Sequence, residues 1–237
     1  MSQLLIDLGN TRMKLAWARG EGIDDLRMGG DYASVLAEVD QEPELVWLSG
    51  VSGPQQTQRL VAEISNRWAC PVERVSVARY QQHLPTRYEV EQLGVDRWLA
   101  MLACQARCDG GFLVVDCGTA ITLDLVSAAG THTGGYILPG FGLMRDALLQ
   151  ATAIQVPETT APAAGLATDT ASAITRGVYA SVVALIEKLL AQAEAETALF
   201  IGGGNARSLS PLVSQPHAIV EQLVLRGLAR LSFLERN

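Results

Sequence analysis

A short motif that occurs twice is the feature that most constrains the fold of this chain. Residues 6–11 read IDLGNT and residues 115–120 read VDCGTA, so an apolar residue, an aspartate, a free position and a glycine recur with a threonine nearby. The two aspartates, Asp7 and Asp116, lie 109 positions apart (116 − 7), close to half of the 237-residue chain. A repeat of such a long period indicates duplication of a whole structural unit.

Both copies of the motif stand between two apolar runs, which predicts the same local structure for each copy. Residues 4–7 and 112–116 read as buried strands that enter the glycine turns, and residues 14–18 and 121–126 read as the return strands. We therefore predict an α/β chain of two related domains, residues 1–108 and residues 109–237, divided at the Asp-Gly-Gly break that begins at residue 109.

Helices are predicted where apolar residues recur at helical spacing. The predicted helices cover residues 99–107, 140–152, 177–195 and 219–234. A late strand over residues 198–201 runs into Gly202, Gly203 and Gly204. Residues 151–170, which are rich in Ala, Thr and Pro, are predicted to form a long loop.

The charge balance and the lengths of the apolar runs limit which partners the protein is expected to have. The chain carries 18 Lys and Arg against 25 Asp and Glu, a formal net charge of −7, and it has no basic run. Nucleic acids and anionic membranes reward clustered cations, so we expect neither as a partner. The start of the chain does not read as a signal peptide, and no apolar stretch approaches the roughly 20 residues that span a bilayer. We therefore expect a cytoplasmic protein.

The repeated motif offers a way to bind phosphate that differs from the common nucleotide loops. The chain has neither a P-loop sequence nor the Gly-x-Gly-x-x-Gly fingerprint of dinucleotide sites. In Asp-x-Gly-x-Thr, the glycine lets the backbone approach a ligand, and main-chain N–H groups and the threonine hydroxyl can donate to phosphate oxygens. The aspartate can hold Mg²⁺ directly or through its waters. A tight turn alone would explain one such motif, but two in corresponding places predict a nucleotide site.

Six segments, which include both motifs, together resemble the motif set of type III pantothenate kinases. They are residues 7–14 (DLGNTRMK), 94–97 (GVDR), 116–120 (DCGTA), 134–140 (GGYILPG), 170–177 (TASAITRG) and 202–206 (GGGNA). The resemblance spans residues 6–206 and says little about residues 18–85. It implies the actin/hexokinase/Hsp70-like fold, in which two duplicated actin-like (ribonuclease H-like) domains, each a mixed five-stranded sheet flanked by helices, close over ATP. The implied reaction is transfer of the γ-phosphate of ATP to the primary hydroxyl of pantothenate, the first step towards coenzyme A.

The resemblance also implies a role for each candidate site residue. Asp96 corresponds to the general base, and the guanidinium of Arg97 suits the carboxylate of pantothenate. Pantothenate would contact six residues: Tyr88, Gly94, Val95, Asp96, Arg97 and Thr170. The ATP phosphates would contact nine residues: Asp7, Leu8, Gly9, Asn10, Thr11, Arg12, Met13, Lys14 and Thr119. Asp116 corresponds to a ligand of a monovalent cation, K⁺ or NH₄⁺, while Mg²⁺ accompanies ATP, and the chain is expected to form a homodimer.

Three other functions remain open on the sequence. A sugar or acetate kinase of the same superfamily would share the two aspartate turns but would not need the segment 94–97. A non-catalytic nucleotide-binding regulator would keep the fold, although the carboxylates of Asp7, Asp96 and Asp116 are all retained. An actin-like filament protein would need polymerisation surfaces that the sequence does not reveal, because fold analogy alone does not decide function.

Overall fold

The chain folds into two compact units. The structure, a computed structural model, describes residues 2–9, 11–50, 53–156 and 160–236. One unit comprises Met1–Arg107 together with Gln222–Asn237, and the other comprises Cys108–Glu221. In the described part of the chain, no helix is both long enough and apolar enough to cross a membrane.

The first unit is built on a mixed five-stranded sheet. Its strands are β1 (Gln3–Leu8), β2 (Met13–Arg19), β3 (Gly22–Gly29), β4 (Leu45–Gly50) and β5 (Val72–Arg74). The strand order is β3-β2-β1-β4-β5: the first three strands of the chain pair antiparallel, and β4 and β5 extend the sheet in parallel. The helices before residue 107 are α1 (Tyr32–Ala37), α2 (Pro54–Arg67), α3 (Val77–Tyr80) and α4 (Val95–Gln105).

The second unit repeats this plan. Its strands are β6 (Phe112–Cys117), β7 (Ala120–Val126), β8 (His132–Pro139), β9 (Ala198–Gly202) and β10 (Ala218–Ile219). Its helices are α5 (Phe141–Ala151), α6 (Thr170–Gln192) and α7 (Ala206–Leu209), followed by a 3₁₀ turn at Ser210–Leu212. Read from its antiparallel edge, the sheet has the order β8-β7-β6-β9-β10, with the same parallel and antiparallel pairings as the first sheet. The predicted duplication of a mixed five-stranded sheet flanked by helices is confirmed.

Alternation along the strands divides each central sheet between two faces. In β1, Leu4, Ile6 and Leu8 enter one apolar core together with Val46 and Leu48 of β4 and with Leu60 and Ile64 of α2. Because side chains alternate along a strand, Gln3, Leu5 and Asp7 lie on the opposite face with Trp47 and Ser49. The indole N–H of Trp47 donates to Gln3 Oε1 at 3.3 Å, as expected for two side chains of one face. Helix α4 packs against β4.

The C-terminal helix, α8 (Leu223–Leu234), packs in the first unit rather than the second. It lies along α4 and contacts β1, β2, β3 and β4. Leu225, Leu228 and Leu231 are fully buried. His83 Nε2 lies 2.5 Å from Glu235 Oε1 just beyond the helix, and Arg230 pairs with Glu21. The sequence-based division assigned residues 109–237 to the second domain, whereas residues 222–237 complete the first unit. An amphipathic pattern identifies which side chains are buried but not which element covers them.

A glycine in α8 makes its contact with α4 possible, and this contact can be tested by mutation. A Cβ at Gly227 would overlap the main-chain carbonyl of Leu99, which cannot rotate away. We expect Gly227→Ala to lower the free energy of unfolding by about 2 kcal/mol, a typical cost of overpacking a core. Urea denaturation, with the midpoint and slope compared to the wild type, measures this change.

Gly177 in α6 provides the matched control. It is exposed, and apart from its chain neighbours and the nearby backbone of its own helix, no described atom lies within 4 Å of the position of its Cβ. Gly177→Ala should therefore raise the free energy of unfolding by about 0.5 to 1 kcal/mol, because alanine is the better helix former. Equal effects of the two substitutions would contradict the close α4–α8 contact.

Candidate active site

The turn between β1 and β2 carries most of the residues predicted to bind the ATP phosphates. Asp7, the last but one residue of β1, is half-buried and pairs in register with Lys14 of β2. The turn is closed by the Gly9 N–H group, which donates to the Arg12 carbonyl at 3.2 Å. Thr11 and Arg12 are exposed at its tip. Hydroxyl, guanidinium and ammonium donors are thus presented together beside one carboxylate.

Three of the residues predicted to bind the ATP phosphates do not present a described, exposed side chain. Leu8 and Met13 are 2% and 1% exposed, respectively, and Leu8 and Met13 both belong to the apolar core of the first unit. Their side chains hold the hairpin in place, so only their main-chain groups could reach a ligand. Asn10 lies outside the described residues.

The start of α4 carries the second group of predicted residues. Gly94 is the N-cap, and the carboxylate of Asp96 turns back to accept a hydrogen bond of 2.9 Å from the N–H of Arg97. A Cβ at residue 94 would stand 2.6 Å from Asp96 Oδ1. Glycine is therefore needed at position 94 for the carboxylate to take this orientation, and the first turn of a helix favours a negative charge. Val95 is half-buried between them.

The side chains of Arg97 and Tyr88 are in contact, although no sequence pattern links the two residues. The guanidinium carbon of Arg97 lies 5.3 Å from the centre of the Tyr88 ring, within the range of a cation–π contact. Arg97 is 5% exposed, whereas Tyr88 is 36% exposed. The Tyr88 N–H donates to Thr86 Oγ1 at 2.9 Å, which fixes the backbone under the ring. A nearly buried guanidinium with an exposed ring against it is suited to bind an anionic organic molecule.

The turn between β6 and β7 places Asp116 and Thr119 in the second unit. The Gly118 N–H donates to the Ala120 carbonyl at 3.0 Å, and the Gly140 N–H donates to the Thr119 carbonyl at 2.9 Å. A Cβ at residue 140 would stand 2.5 Å from that same Thr119 carbonyl, so the backbone after β8 supports the turn directly. Thr119 is exposed and Asp116 is half-buried.

A second backbone segment approaches Asp116 from the end of β9. Gly203 has φ +85, and a Cβ there would lie 2.5 Å from Asp116 Oδ1 and within 2.6 Å of the Cys117 backbone. The Asn205 N–H donates to the Cys117 carbonyl at 3.2 Å. The sequence predicted a strand that runs into the glycines at 202–204 but not this support of the aspartate. The signal that could have found it is the in-register pairing expected between β6 and β9.

The thiol of Cys117, the residue that follows Asp116, is unreactive. Burial, and secondarily the negative charge of Asp116, raises the pKa of the Cys117 thiol to about 12, so the thiol stays protonated. In the residues that the structure describes, no three His, Cys, Asp or Glu side chains are grouped as a metal site. The carboxylate of Asp116 is an oxygen ligand of the kind that hard cations prefer.

Thr170 lies on another element of the second unit. It is the first residue of α6 and is exposed. The preceding residue, Asp169, is the N-cap, and its carboxylate accepts from the Ser172 N–H at 2.9 Å. The hydrogen bonds from Ser172 lower the pKa of the Asp169 carboxyl below its ordinary value. The helix begins seven residues before the predicted start at Gly177, because Asp169 caps it there.

Comparison with known proteins agrees with the motifs. A sequence model of the family described as type III pantothenate kinase matches residues 3–192. The chain is 34% identical to a type III pantothenate kinase of Nitrosococcus oceani, over 97% of this chain and 93% of the other.

Solved structures support the fold. A Campylobacter jejuni structure described as a Baf family transcriptional activator superposes with a TM-score of 0.68 at 22% identity, over 99% of both chains. A Sinorhizobium meliloti protein described as a 2-dehydro-3-deoxygalactonokinase superposes with a TM-score of 0.62 at 16% identity, over 97% of this chain and 95% of the other. The predicted actin/hexokinase-like fold is confirmed, and the chain belongs to the type III pantothenate kinase family.

Proposed function

We propose that this protein transfers the γ-phosphate of ATP to the primary hydroxyl of pantothenate, which is the reaction that its family name describes. The observation that supports this most directly is the start of α4. There Gly94 leaves room for the Asp96 carboxylate, and Arg97 lies over the exposed ring of Tyr88. A carboxylate beside a buried guanidinium provides both a proton acceptor and an anion-binding group for an acceptor molecule that carries a hydroxyl and a carboxylate.

Asp96 is the general base in this proposal. Its carboxylate accepts the proton of the pantothenate hydroxyl as that oxygen attacks the γ-phosphorus, while the bond to the ADP oxygen breaks. Phosphoryl transfer asks mainly for positioning and charge neutralisation, so a base held in one orientation by Gly94 and the Arg97 N–H is well matched to it. Arg97 binds the pantothenate carboxylate, and Tyr88, Val95 and Thr170 line the acceptor pocket.

The triphosphate is bound by the β1–β2 turn and by Thr119. The Gly9 turn, the Thr11 hydroxyl, the Arg12 guanidinium and the Lys14 ammonium supply donors, and Thr119 supplies an exposed hydroxyl from the β6–β7 turn. Asp7 holds Mg²⁺, which typically takes one or two carboxylates, several waters and phosphate oxygens. The bound ion supplies neutralising charge to the phosphate oxygens.

Asp116 binds a monovalent cation, K⁺ or NH₄⁺. The carboxylate stands at the end of a buried strand, against the backbone at Gly203 that a Cβ would displace. A cation there would neutralise the half-buried carboxylate and supply positive charge near the phosphates.

The protein acts as a homodimer in the cytosol in this proposal. Four large apolar side chains are exposed on β8 and α5: Tyr136, Ile137, Leu143 and Leu148, at 45%, 62%, 50% and 41%. Exposed large apolar side chains on two consecutive elements support this proposal, because a second copy of the chain would remove some of them from water. The four cysteines are free thiols, in keeping with a reducing compartment.

The proposed reaction is tested by measuring ADP release with Mg²⁺·ATP and a panel of acceptors. We expect ADP release that depends on pantothenate, and little release with sugars or acetate, because only pantothenate pairs a hydroxyl with a carboxylate suited to Arg97. Release with a sugar or acetate alone would favour the related kinases. The absence of release with every acceptor, with nucleotide binding retained, would favour the regulator.

Asp96→Asn should lower kcat by about 10²- to 10⁴-fold, the usual range for removal of a general base. The amide keeps the size of the side chain and its acceptor oxygen toward the Arg97 N–H, so thermal unfolding should change little. Retention of more than about a third of the wild-type kcat would rule out the base assignment. Gly94→Ala is the companion variant. It retains the Asp96 carboxylate but moves it from its observed orientation, and it should also lower kcat.

Activity should depend on the monovalent cation. With Mg²⁺·ATP and pantothenate, we expect a low rate in Na⁺ or Li⁺ and a strong increase when K⁺ or NH₄⁺ replaces it at constant ionic strength, which removes screening as an explanation. Asp116→Asn should blunt the response, since it removes the charge that binds the cation. Equal rates in Na⁺ and K⁺ would contradict a cation site at Asp116.

A further inference from the structure

The hydroxyl of Ser49 is buried where it makes no hydrogen bond. Ser49, the last but one residue of β4, is 0% exposed. Among the described residues, none lies in hydrogen-bonding geometry with its Oγ. Burial of a hydroxyl without a partner costs free energy, and an alanine at the same place would avoid that cost. Groups of this kind in native proteins commonly mark functional sites.

Strand register puts this hydroxyl beside one particular carboxylate. β1 and β4 pair in parallel, and the residue directly opposite Ser49 is Asp7. Residues paired in this way have side chains on the same face of the sheet, with the strands about 4.8 Å apart. Leu48 enters the apolar core on the other face, so Ser49 shares the Asp7 face. Another side-chain pair on that face already interacts across the same two strands, because Trp47, which is in register with Leu5, donates diagonally to Gln3.

We propose that Ser49 is a positioning residue for Asp7, and that its Oγ–H donates to the Asp7 carboxylate when Mg²⁺·nucleotide is bound. This rests on the proposed role of Asp7 as the Mg²⁺-holding carboxylate. A hydrogen bond from the strand side fixes the orientation of the carboxylate and favours its ionised form. It leaves the remaining lone pairs of the carboxylate available to Mg²⁺ and its waters. The hydroxyl has no partner among the described residues, which costs stability, and the proposed hydrogen bond gives it one.

The test compares variants that separate the hydroxyl from its volume. Ser49→Ala removes the hydroxyl, and Ser49→Cys keeps the size while providing only a weak donor. Ser232→Ala is the matched control, since Ser232 is equally buried but its hydroxyl already donates to the Ala229 carbonyl at 2.8 Å. Three quantities are measured: the melting temperature without ligand, the affinity for Mg²⁺·ADP by calorimetry, and kcat/KM for Mg²⁺·ATP and for pantothenate.

Ser49→Ala is expected to leave the melting temperature unchanged or raise it, and to weaken nucleotide binding and turnover. Ser49→Ala should melt at the same temperature as the wild type or higher, because an unpaired buried hydroxyl is removed. It and Ser49→Cys should bind Mg²⁺·ADP and turn over Mg²⁺·ATP about 10-fold less well, the effect of losing a hydrogen bond to a charged group, while KM for pantothenate stays constant. Ser232→Ala should melt lower and keep its activity.

Two results would overturn the inference. One is a Ser49→Ala protein whose Mg²⁺·ADP affinity and kcat/KM lie within about two-fold of the wild type, which is the ordinary size of effect for a remote substitution. The other is a lower melting temperature with a parallel loss for both substrates, which would make Ser49 a structural residue.

A second pair of variants separates this inference from the proposed function. In an Asp7→Asn background, Ser49→Ala should cause no further loss, because the two residues act as a unit. If Asp7→Asn were as active as the wild type, both the Asp7 role and the inference would fall. If the wild type released no ADP with pantothenate, the proposed reaction would fail, while melting and Mg²⁺·ADP binding would still decide the role of Ser49.

Discussion

Contact between main chain and site, at distances that only glycine permits, is the constraint on which the rest of this structure depends. Gly94 leaves room for the Asp96 carboxylate, and Gly203 lets the end of β9 approach Asp116. Gly140 brings the backbone after β8 onto the Thr119 turn. Gly140 and Gly203 approach the β6–β7 segment from other parts of the chain, whereas Gly94 lies two residues before the aspartate that it accommodates. The candidate site residues are therefore oriented by backbone, which has fewer ways to move than a layer of side chains.

Duplication explains why the two aspartates hold equivalent places in the fold, although their surroundings differ. Asp7 and Asp116 both end the central strand of a sheet with one antiparallel and one parallel neighbour. Their surroundings differ, since Asp7 pairs with Lys14 in the first sheet and Asp116 pairs with Thr122 in the second. The residue across the parallel strand also differs: Ser49 in one unit and Gly202 in the other. The same carboxylate thus lies beside a lysine and a serine in one copy and beside a threonine and a glycine in the other.

Much of this could be predicted from the sequence, and the exceptions have physical reasons. The central strands were predicted because buried strands are apolar and end at glycine turns. The edge strand β3 was missed because its exposed residues give no apolar alternation. Helix α4 begins at Val95, four residues before the predicted body of the helix at Leu99, with Gly94 as its N-cap. The proximity of Tyr88 to Arg97 was anticipated only through the family resemblance. Ser49 could not have been found, because a single serine in an apolar strand has no pattern, and its proposed role depends on a strand register that only the paired sheet displays.

The position of α8 has a consequence for how the chain reaches its fold. The first unit is interrupted: residues 108–221 form the second unit, and only then does the chain return to cover α4 and the first sheet. Contacts between α4 and α8 therefore span more than 110 residues, and non-local contacts of this kind slow folding. During synthesis the second unit is complete before the first can close, so the inserted half of the chain is free to fold while the half that holds Asp7 and Asp96 still exposes an apolar face. The proposed catalytic carboxylate would then be among the last groups to acquire its final surroundings.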